Sequence, residues 1–273
     1  MIFQDGHSSL VRLSDCLKMS VGNAWETTKQ SILMHRKYAD TLKEIRRIAK
    51  QHLAHLDAGQ DPDTCEDDIR AASARIPYEE ARVAISLQGR LHSETLSVIL
   101  TSCFTLESYI NSLGFFLLRE RDIIGLVRNS TSTAAEAFLE AINRMNTLTK
   151  WQTIASLKSD SGFDTGAPPF QDLKILFRFR DDHVHDKVVD WGSERAKKRY
   201  NDKLPDPFGE FLDLSHAVFA CDTYWGMILK VHELVGVPIS DFHRHYNLKP
   251  WFDDQFESQV RQSANEYETV TKG

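Results

Sequence analysis

The chain has 273 residues, of which 41% are hydrophobic and 26% are charged, and this composition is typical of a globular protein. The formal net charge is −6, so the sequence lacks the basic surface of proteins that coat nucleic acid through many phosphate contacts. An enzyme that binds one RNA at a local site is still compatible with this charge.

The cysteines and the hydropathy pattern point to a cytoplasmic protein. The four cysteines, Cys16, Cys65, Cys103 and Cys221, form no C-x-x-C pair, so neither a disulfide framework nor a zinc finger is expected. Cys103 and Cys221 fall on apolar helical stripes, as core thiols do. The first ten residues do not resemble a signal peptide, and polar residues interrupt every long apolar stretch, so we expect no membrane span.

Residues 1–75 are predicted to form an N-terminal helical arm. A long helix is expected from Ala24 to Leu56, whereas residues 1–22 show no clear pattern. The middle of this helix is basic and amphipathic, which suits RNA, a membrane surface or, most often, a partner helix. The acidic stretch 57–68 is read as a loop, because it lacks the turn glycine and ligand spacing of a calcium-binding EF-hand.

The main domain is predicted to cover residues 76–248. A helix is expected from Pro77, with an interruption near Gly89, and it leads into an apolar helix over 94–118. Glu107 falls in the middle of the apolar stripe of that helix. A carboxylate at such a position requires a cation, and we predict that Arg180 supplies it. A single helix over 133–157 and a turn-rich loop over 159–169 follow.

The segment 172–186, with the sequence DLKILFRFRDDHVHD, carries most of the chemically reactive side chains. Its apolar residues follow the helical spacing of three, four and seven, and Arg180 falls on the same inward-facing stripe. Burying a charge there is unfavourable unless the charge is paired or reaches a polar pocket. Arg180 and His185 form the pattern R-x-x-x-x-H, with the polar Asp181 directly after the arginine.

The rest of the chain is predicted to contain one more apolar helix and a tail. Residues 188–207 are polar and are expected to form a loop with a short helix. The apolar helix runs over 211–236, and Gly236 is a candidate left-handed cap. Residues 249–273 are read as a polar tail with frayed ends. No segment shows strand-like alternation, so the predicted class is all-α.

This combination of features resembles the HEPN superfamily, a set of helical domains that includes many metal-independent endoribonucleases. It consists of R-x-x-x-x-H, an upstream helix with L-E-x-x-I-N at Leu106 to Asn111, and an apolar helix downstream. The resemblance covers about residues 80–245. It implies a HEPN-like helical bundle, here with an N-terminal long-helix extension, which acts on RNA without a metal or other cofactor.

The resemblance also implies roles for individual residues. His185 would transfer protons, since histidine titrates near neutral pH, and Arg180 would bind the phosphate with its two-pronged donor. The product would end in a 2′,3′-cyclic phosphate. Glu107, Asn111, Asp181 and His183 are candidate supporting residues. Some members of the family have a tyrosine where this chain has Lys187.

The spacing of the motif raises a question of geometry. Residues five apart on a straight helix point about 140° from each other. Arg180 and His185 would therefore meet only if the helix ended or bent near Asp181, or if two copies of the motif met across a dimer axis. HEPN enzymes are similar in this respect, so we expect a homodimer. His183 lies near the face of Arg180, and Arg178 shares the face of His185; both compete for these roles.

The carboxylates near the motif bear on its chemistry. Asp181, Asp182 and Asp186 add negative charge beside a site intended for phosphate. This charge would raise the pKa of His185 or repel RNA.

Two further interpretations belong to other classes. One is a metal site at His183, His185 and Asp186, for which tertiary structure would have to supply more ligands from a set of four other histidines, His216, His232, His243 and His245. Another is a non-catalytic HEPN-like scaffold or protein-interaction module. The absence of a phosphate-cradling glycine loop and of a nucleophile elbow disfavours kinases, dehydrogenases and serine hydrolases. As a nuclease, the protein would belong to phage defence or to a toxin–antitoxin system with an unidentified regulatory partner.

Overall fold

The structure, a computed structural model, describes residues 2–45, 47–48, 69–118, 132–159, 162–184, 212–240 and 247–272. Most of these residues lie in seven helices: α1 (Ile2–Lys37), α2 (Tyr78–Leu117), α3 (Ser132–Arg144), α4 (Thr147–Lys158), α5 (Phe170–Val184), α6 (Leu214–Val235) and α7 (Asp254–Lys272). The described ranges contain no strand, so the predicted all-α class is confirmed. A HEPN-like arrangement of the helices stays a prediction.

The core is built around α2, which is 40 residues long. Buried side chains recur along it from Leu87 to Leu117, and α1, α4, α5 and α6 pack against it. The predicted interruption near Gly89 is wrong. Gly89 contributes no close packing, because a Cβ atom there would meet nothing within 4 Å. Burial of Leu87 and Leu91 on either side keeps the helix continuous.

The N-terminal residues belong to the core. α1 begins at Ile2, whereas the predicted helix began at Ala24. Leu10, Leu17 and Val21 are fully buried, and their spacing of seven and four residues is that of one helical face. The helix therefore starts about six turns earlier than its clearest apolar pattern suggested.

The C-terminal residues also belong to the core. Residues 254–272 form α7, so the prediction of a frayed polar tail is wrong. α7 packs against α1 and α6, and Val260 and Ala264 are buried in these contacts. Trp25 on α1 donates a hydrogen bond from Nε1 to Ser263 Oγ at 3.0 Å, which fixes the register of the two helices.

The predicted single helix over 133–157 is in fact two helices. α3 ends at Arg144 and α4 starts at Thr147. Asn146 causes the break, because its Oδ1 accepts a hydrogen bond of 2.9 Å from the backbone N–H of Thr149. Asparagine is among the residues that cap helix N-termini best, and here this local preference starts a new helix.

α6 ends as the sequence predicts. Gly236 is in the left-handed conformation, with φ 68° and ψ 22°. One hydrophobic core contains side chains from all three predicted segments, 1–75, 76–248 and 249–273. The boundaries at 75 and 248 therefore divide residues that pack together. Within the described part of the chain, no helix has both the length and the apolar character that a bilayer span requires.

Candidate functional site

The apolar face of α5 positions Arg180. Leu173, Leu176 and Phe177 are buried on that face, and Arg180 follows them at helical spacing. The Arg180 side chain is 20% exposed. Its guanidinium therefore lies at the edge of the core, where it is held by protein on one side and still reaches water.

The guanidinium of Arg180 contacts two carboxylates. Nη1 donates to Glu107 Oε2 on α2 at 3.3 Å, while Nε and Nη2 donate to Asp181 Oδ1 at 3.0 and 2.7 Å. Arg180 Cζ lies 4.5 Å from the centre of the Phe177 ring, within the range of a cation–π contact. The predicted Glu107–Arg180 pair is confirmed, and Asp181 adds a second contact that fixes the orientation of the guanidinium.

The two carboxylates fix the direction of the Arg180 guanidinium, but their ion pairs contribute little to the free energy of unfolding. Glu107 and Asp181 are 44% and 42% exposed, so water screens both ion pairs. An arginine has five N–H donors, and three of those of Arg180 are used in the hydrogen bonds to Glu107 and Asp181. With respect to the described residues, two donors are left for an incoming oxygen, although the three side chains together carry a net charge of −1.

A second cation, Lys150 on α4, lies near the same carboxylate. Lys150 is only 7% exposed, and its Nζ donates to Asn111 Oδ1 at 2.6 Å and to the backbone oxygen of Asn143 at 3.1 Å. Burial lowers the pKa of Lys150, and the negative charge of Glu107 opposes that shift. Asn111, a predicted supporting residue, thus binds a lysine that the sequence analysis did not single out.

The position of Lys150 on α4 contains the signal that would have identified it. Lys150 directly precedes Trp151 and lies four residues before Ile154, and both of these side chains are buried. A lysine on such an apolar helical face has to be paired or has to point into a polar pocket. The criterion that selected Arg180, a charge on an apolar stripe, therefore selects Lys150 as well.

Cys103 lies one helical turn before Glu107 and is fully buried. Its Sγ is 3.8 Å from the backbone oxygen of Leu176, and burial raises the pKa of the thiol. A thiol of this kind is unreactive at neutral pH. Cys221 is buried in the same way, so the prediction of two core thiols is confirmed.

The side chains of the two motif histidines, His183 and His185, lie outside the part of the chain that the structure describes. His185 lies outside the described residues, and for His183 the backbone alone, within α5, is described. α5 is helical through Val184, three residues beyond Asp181, so the helix does not end at Asp181. How Arg180 and His185 converge, through an end or bend of the helix or through a second copy of the chain, stays a prediction.

Two of the histidines that were considered as additional metal ligands have other partners. His216 Nδ1 accepts a hydrogen bond of 3.2 Å from the backbone N–H of Asp213 and so completes the cap of α6. His232 lies between the Tyr109 hydroxyl and the backbone oxygen of Val237. Within the described ranges, no three His, Cys, Asp or Glu side chains form a group that could hold a metal ion. Three other candidate ligands lie outside those ranges: Asp186, His243 and His245.

Comparisons of the chain with protein families, with curated proteins and with solved structures found no match. A function has to be inferred from the residues of this chain and their geometry. Three features are available for that purpose: Arg180 of the R-x-x-x-x-H pattern on α5, the carboxylate of Glu107 on α2, and the buried amine of Lys150 on α4.

Proposed function

We propose that this protein is a metal-independent endoribonuclease of the HEPN type. The observation that supports this proposal most directly is the ion pair between Glu107 and Arg180, at 3.3 Å. It joins two of the three segments on which the HEPN resemblance rests, the motif helix and the helix upstream of it. It also holds the arginine of R-x-x-x-x-H at the edge of the core, where an RNA phosphate can reach it.

Arg180 is proposed to bind the phosphate that is cleaved. Guanidinium groups match the oxygens of phosphate and keep their charge at any physiological pH. Glu107 and Asp181 hold the guanidinium in one orientation, and donors held in place before reaction stabilise charge that develops in a transition state. The two N–H groups that these carboxylates leave are the proposed contacts to phosphate.

His185 is proposed to transfer the protons. One catalytic group takes the proton of the ribose 2′-hydroxyl, whose oxygen attacks the phosphorus, and one gives a proton to the departing 5′-oxygen. Histidine serves in either direction near neutral pH. The products are a 2′,3′-cyclic phosphate and a free 5′-hydroxyl, and no cofactor is consumed.

The proposed enzyme is a homodimer. On an α-helix, side chains five residues apart point about 140° from each other, and α5 continues as a helix past Asp181. A second copy related by a two-fold axis would place His185 of one chain beside Arg180 of the other. In this arrangement each chain contributes one of the two catalytic side chains to a shared cleft.

The proposed biological setting is growth arrest through cleavage of cellular RNA. Such an activity suits phage defence or a toxin–antitoxin system, in which a regulatory partner restrains the nuclease. The resemblance to HEPN proteins is the support for this setting.

Incubation of the purified protein with total RNA in the presence of EDTA tests the activity. We expect fragments that end in 2′,3′-cyclic phosphate, and we expect Arg180→Ala and His185→Ala each to abolish them. Arg82→Ala is a matched control, because Arg82 is an exposed arginine paired with a carboxylate at 3.6 Å. It should cleave like the wild type.

The competing residues are tested in the same assay. Arg178→Ala and His183→Ala should retain cleavage if Arg180 and His185 carry the reaction. Loss of activity in His183→Ala but not in His185→Ala would show that the assignment is wrong. Mixing the inactive Arg180→Ala and His185→Ala chains should restore part of the activity, because a mixed dimer contains one intact shared site.

The second candidate function is a non-catalytic HEPN-like scaffold. One observation favours it: the guanidinium of Arg180 already contacts two carboxylates, as a structural arginine at the edge of a core would. A scaffold would show no RNA cleavage, and replacement of Arg180 would change only stability. The RNA assay with the wild-type protein separates the two functions.

A further inference from the structure

A small cavity lies between α2, α3 and α4, beside Lys150. Its volume is 110 Å³. Apolar side chains form most of its wall, among them Ile110, Leu139, Ile142 and Ile154. The lining also includes the polar residues Asn111, Asn143 and Lys150, whose side chains or backbone meet at the Lys150 amine, and Asn111 is exposed, so solvent reaches the cavity there.

Lys150 is an unusual group to find at the end of such a cavity. It is 7% exposed, and both of its hydrogen-bond acceptors, Asn111 Oδ1 and the backbone oxygen of Asn143, are neutral. Among the residues that the structure describes, no carboxylate lies within ion-pair distance of its Nζ. Glu107 is near enough to oppose the lowering of the Lys150 pKa, but a buried ammonium that no anion contacts is still unfavourable. The contacts with described residues use two of its three N–H donors.

We propose that this cavity is a binding site for short aliphatic monocarboxylates, with the carboxylate on Lys150 and the hydrocarbon chain among the isoleucine and leucine side chains. The proposal is independent of the ribonuclease activity. Lys150 excludes cationic ligands. The apolar wall offers no partner for a polar tail, and ligand sites of this kind combine apolar walls with a few placed polar groups.

The volume of the cavity sets the length of the ligand. A cavity of about 150 Å³ accommodates benzene, with its six carbons. The present cavity is smaller, so it fits a chain of about four carbons beyond the carboxylate oxygens. Butyrate and valerate fit these limits. Acetate would leave the cavity largely empty, and octanoate would not enter it.

Lys150 also gives the binding a dependence on protonation. Burial lowers the pKa of its amine, and a bound carboxylate would raise that pKa again, since an opposite charge favours the protonated form. Binding of the carboxylate is therefore coupled to uptake of a proton by Lys150 wherever the amine is neutral in the free protein. Within that pH range, affinity for the carboxylate should fall as pH rises.

Titration of the full-length protein with a series of carboxylates, followed by NMR chemical shifts or calorimetry, tests the proposal. Affinity should increase about fourfold per CH₂ group from acetate to butyrate, as methylene groups are buried, and should drop sharply at octanoate. n-Butylammonium has the same length and the opposite charge, so it should not bind.

Two variants test separately how the charge of Lys150 and the space in the cavity contribute to butyrate binding. Lys150→Met should weaken butyrate binding by at least about tenfold, because a charge-assisted hydrogen bond is lost. Leu139→Phe keeps the charge but fills the cavity, and it should weaken binding to a similar extent. Lys43→Met is the control, because Lys43 is an exposed lysine outside the cavity, and it should bind butyrate like the wild type.

Several results would overturn the proposal. They are the absence of saturable butyrate binding by the wild type, equal binding of butyrate and n-butylammonium, and undiminished binding by folded Lys150→Met. Thermal unfolding of each variant checks that it is folded. RNA cleavage is measured in parallel without carboxylate, so that failure of the ribonuclease proposal is recognised separately.

Discussion

Arg180 and Lys150 are two cations near one carboxylate, Glu107, and they are held in opposite ways. Arg180 contacts two carboxylates and is 20% exposed, whereas Lys150 is 7% exposed and, among the described residues, donates hydrogen bonds to neutral oxygens only. A guanidinium stays charged in either surrounding, but burial shifts the pKa of an amine. The first arrangement fixes the direction of a permanent charge. The second leaves a charge that a bound anion would stabilise.

The largest effect on RNA cleavage is expected from a change at Glu107, the carboxylate near both cations. Glu107→Gln keeps the size of the side chain but removes the charge that holds Arg180 Nη1. If Arg180 binds the phosphate, RNA cleavage should fall about 100-fold, because a small misplacement of a catalytic group has that effect. The change should appear mainly in kcat, measured on a defined RNA, and Glu107→Asp should restore part of it.

A matched control for this prediction is Glu140→Gln. Glu140 is an exposed glutamate that also pairs with an arginine, Arg144, and its replacement should leave cleavage unchanged. If Glu107→Gln cleaves RNA as fast as the wild type, Glu107 does not position Arg180 for reaction. The ion pair would then be a structural feature of the edge of the core.

Lys150→Met should stabilise the fold by about 1 kcal/mol at pH 7. Methionine has a similar length and no charge to bury, and the replacement of buried charges by apolar groups of similar volume is often stabilising. Urea denaturation measures the change in the free energy of unfolding. Destabilisation by this variant would show that the hydrogen bonds to Asn111 and Asn143 outweigh the unfavourable burial of the ammonium.

The free energy of unfolding should depend on pH differently in the wild type and in Lys150→Met. The pKa of Lys150 is below 10.5 in the folded protein because of burial, so the unfolded chain binds more protons between that lowered pKa and 10.5. Stability therefore rises with pH in this window as the burial penalty is relieved. The stability gained by Lys150→Met should shrink as pH approaches 10.5. An advantage that stays constant up to that pH would contradict the lowered pKa.

The contrast between the two cations also shows what the sequence could predict. Glu107 and Arg180 both interrupt clear apolar stripes, so two local patterns together predicted a contact between residues 73 positions apart, and the structure confirms it. Lys150 interrupts a stripe too, four residues before the buried Ile154, but its short helix, which starts after Asn146, lies outside the motif segment. This buried charge was therefore not predicted.

The ends of the chain were harder to predict for a different reason. Val260 and Ala264 on α7 are buried one turn apart, yet most other residues of that helix are polar. A narrow apolar stripe of this kind is weak evidence in a sequence, and packing against α1 and α6 supplies most of the stability of the helix. His185 could be proposed from the motif pattern, but it lies outside the described residues, so its role stays a prediction.

The smallest effect is expected from Asp181→Asn, which removes the other carboxylate that contacts Arg180. Asp181 is 42% exposed and directly follows Arg180, so water screens the pair, and neighbours in sequence remain close even in the unfolded chain. The free energy of unfolding should change by less than about 0.5 kcal/mol. Glu107→Gln should destabilise the protein more, because folding alone brings Glu107 and Arg180 together. Urea denaturation of both variants ranks them, and a larger loss for Asp181→Asn would mean that the sequence-local contact, rather than the contact between helices, anchors Arg180.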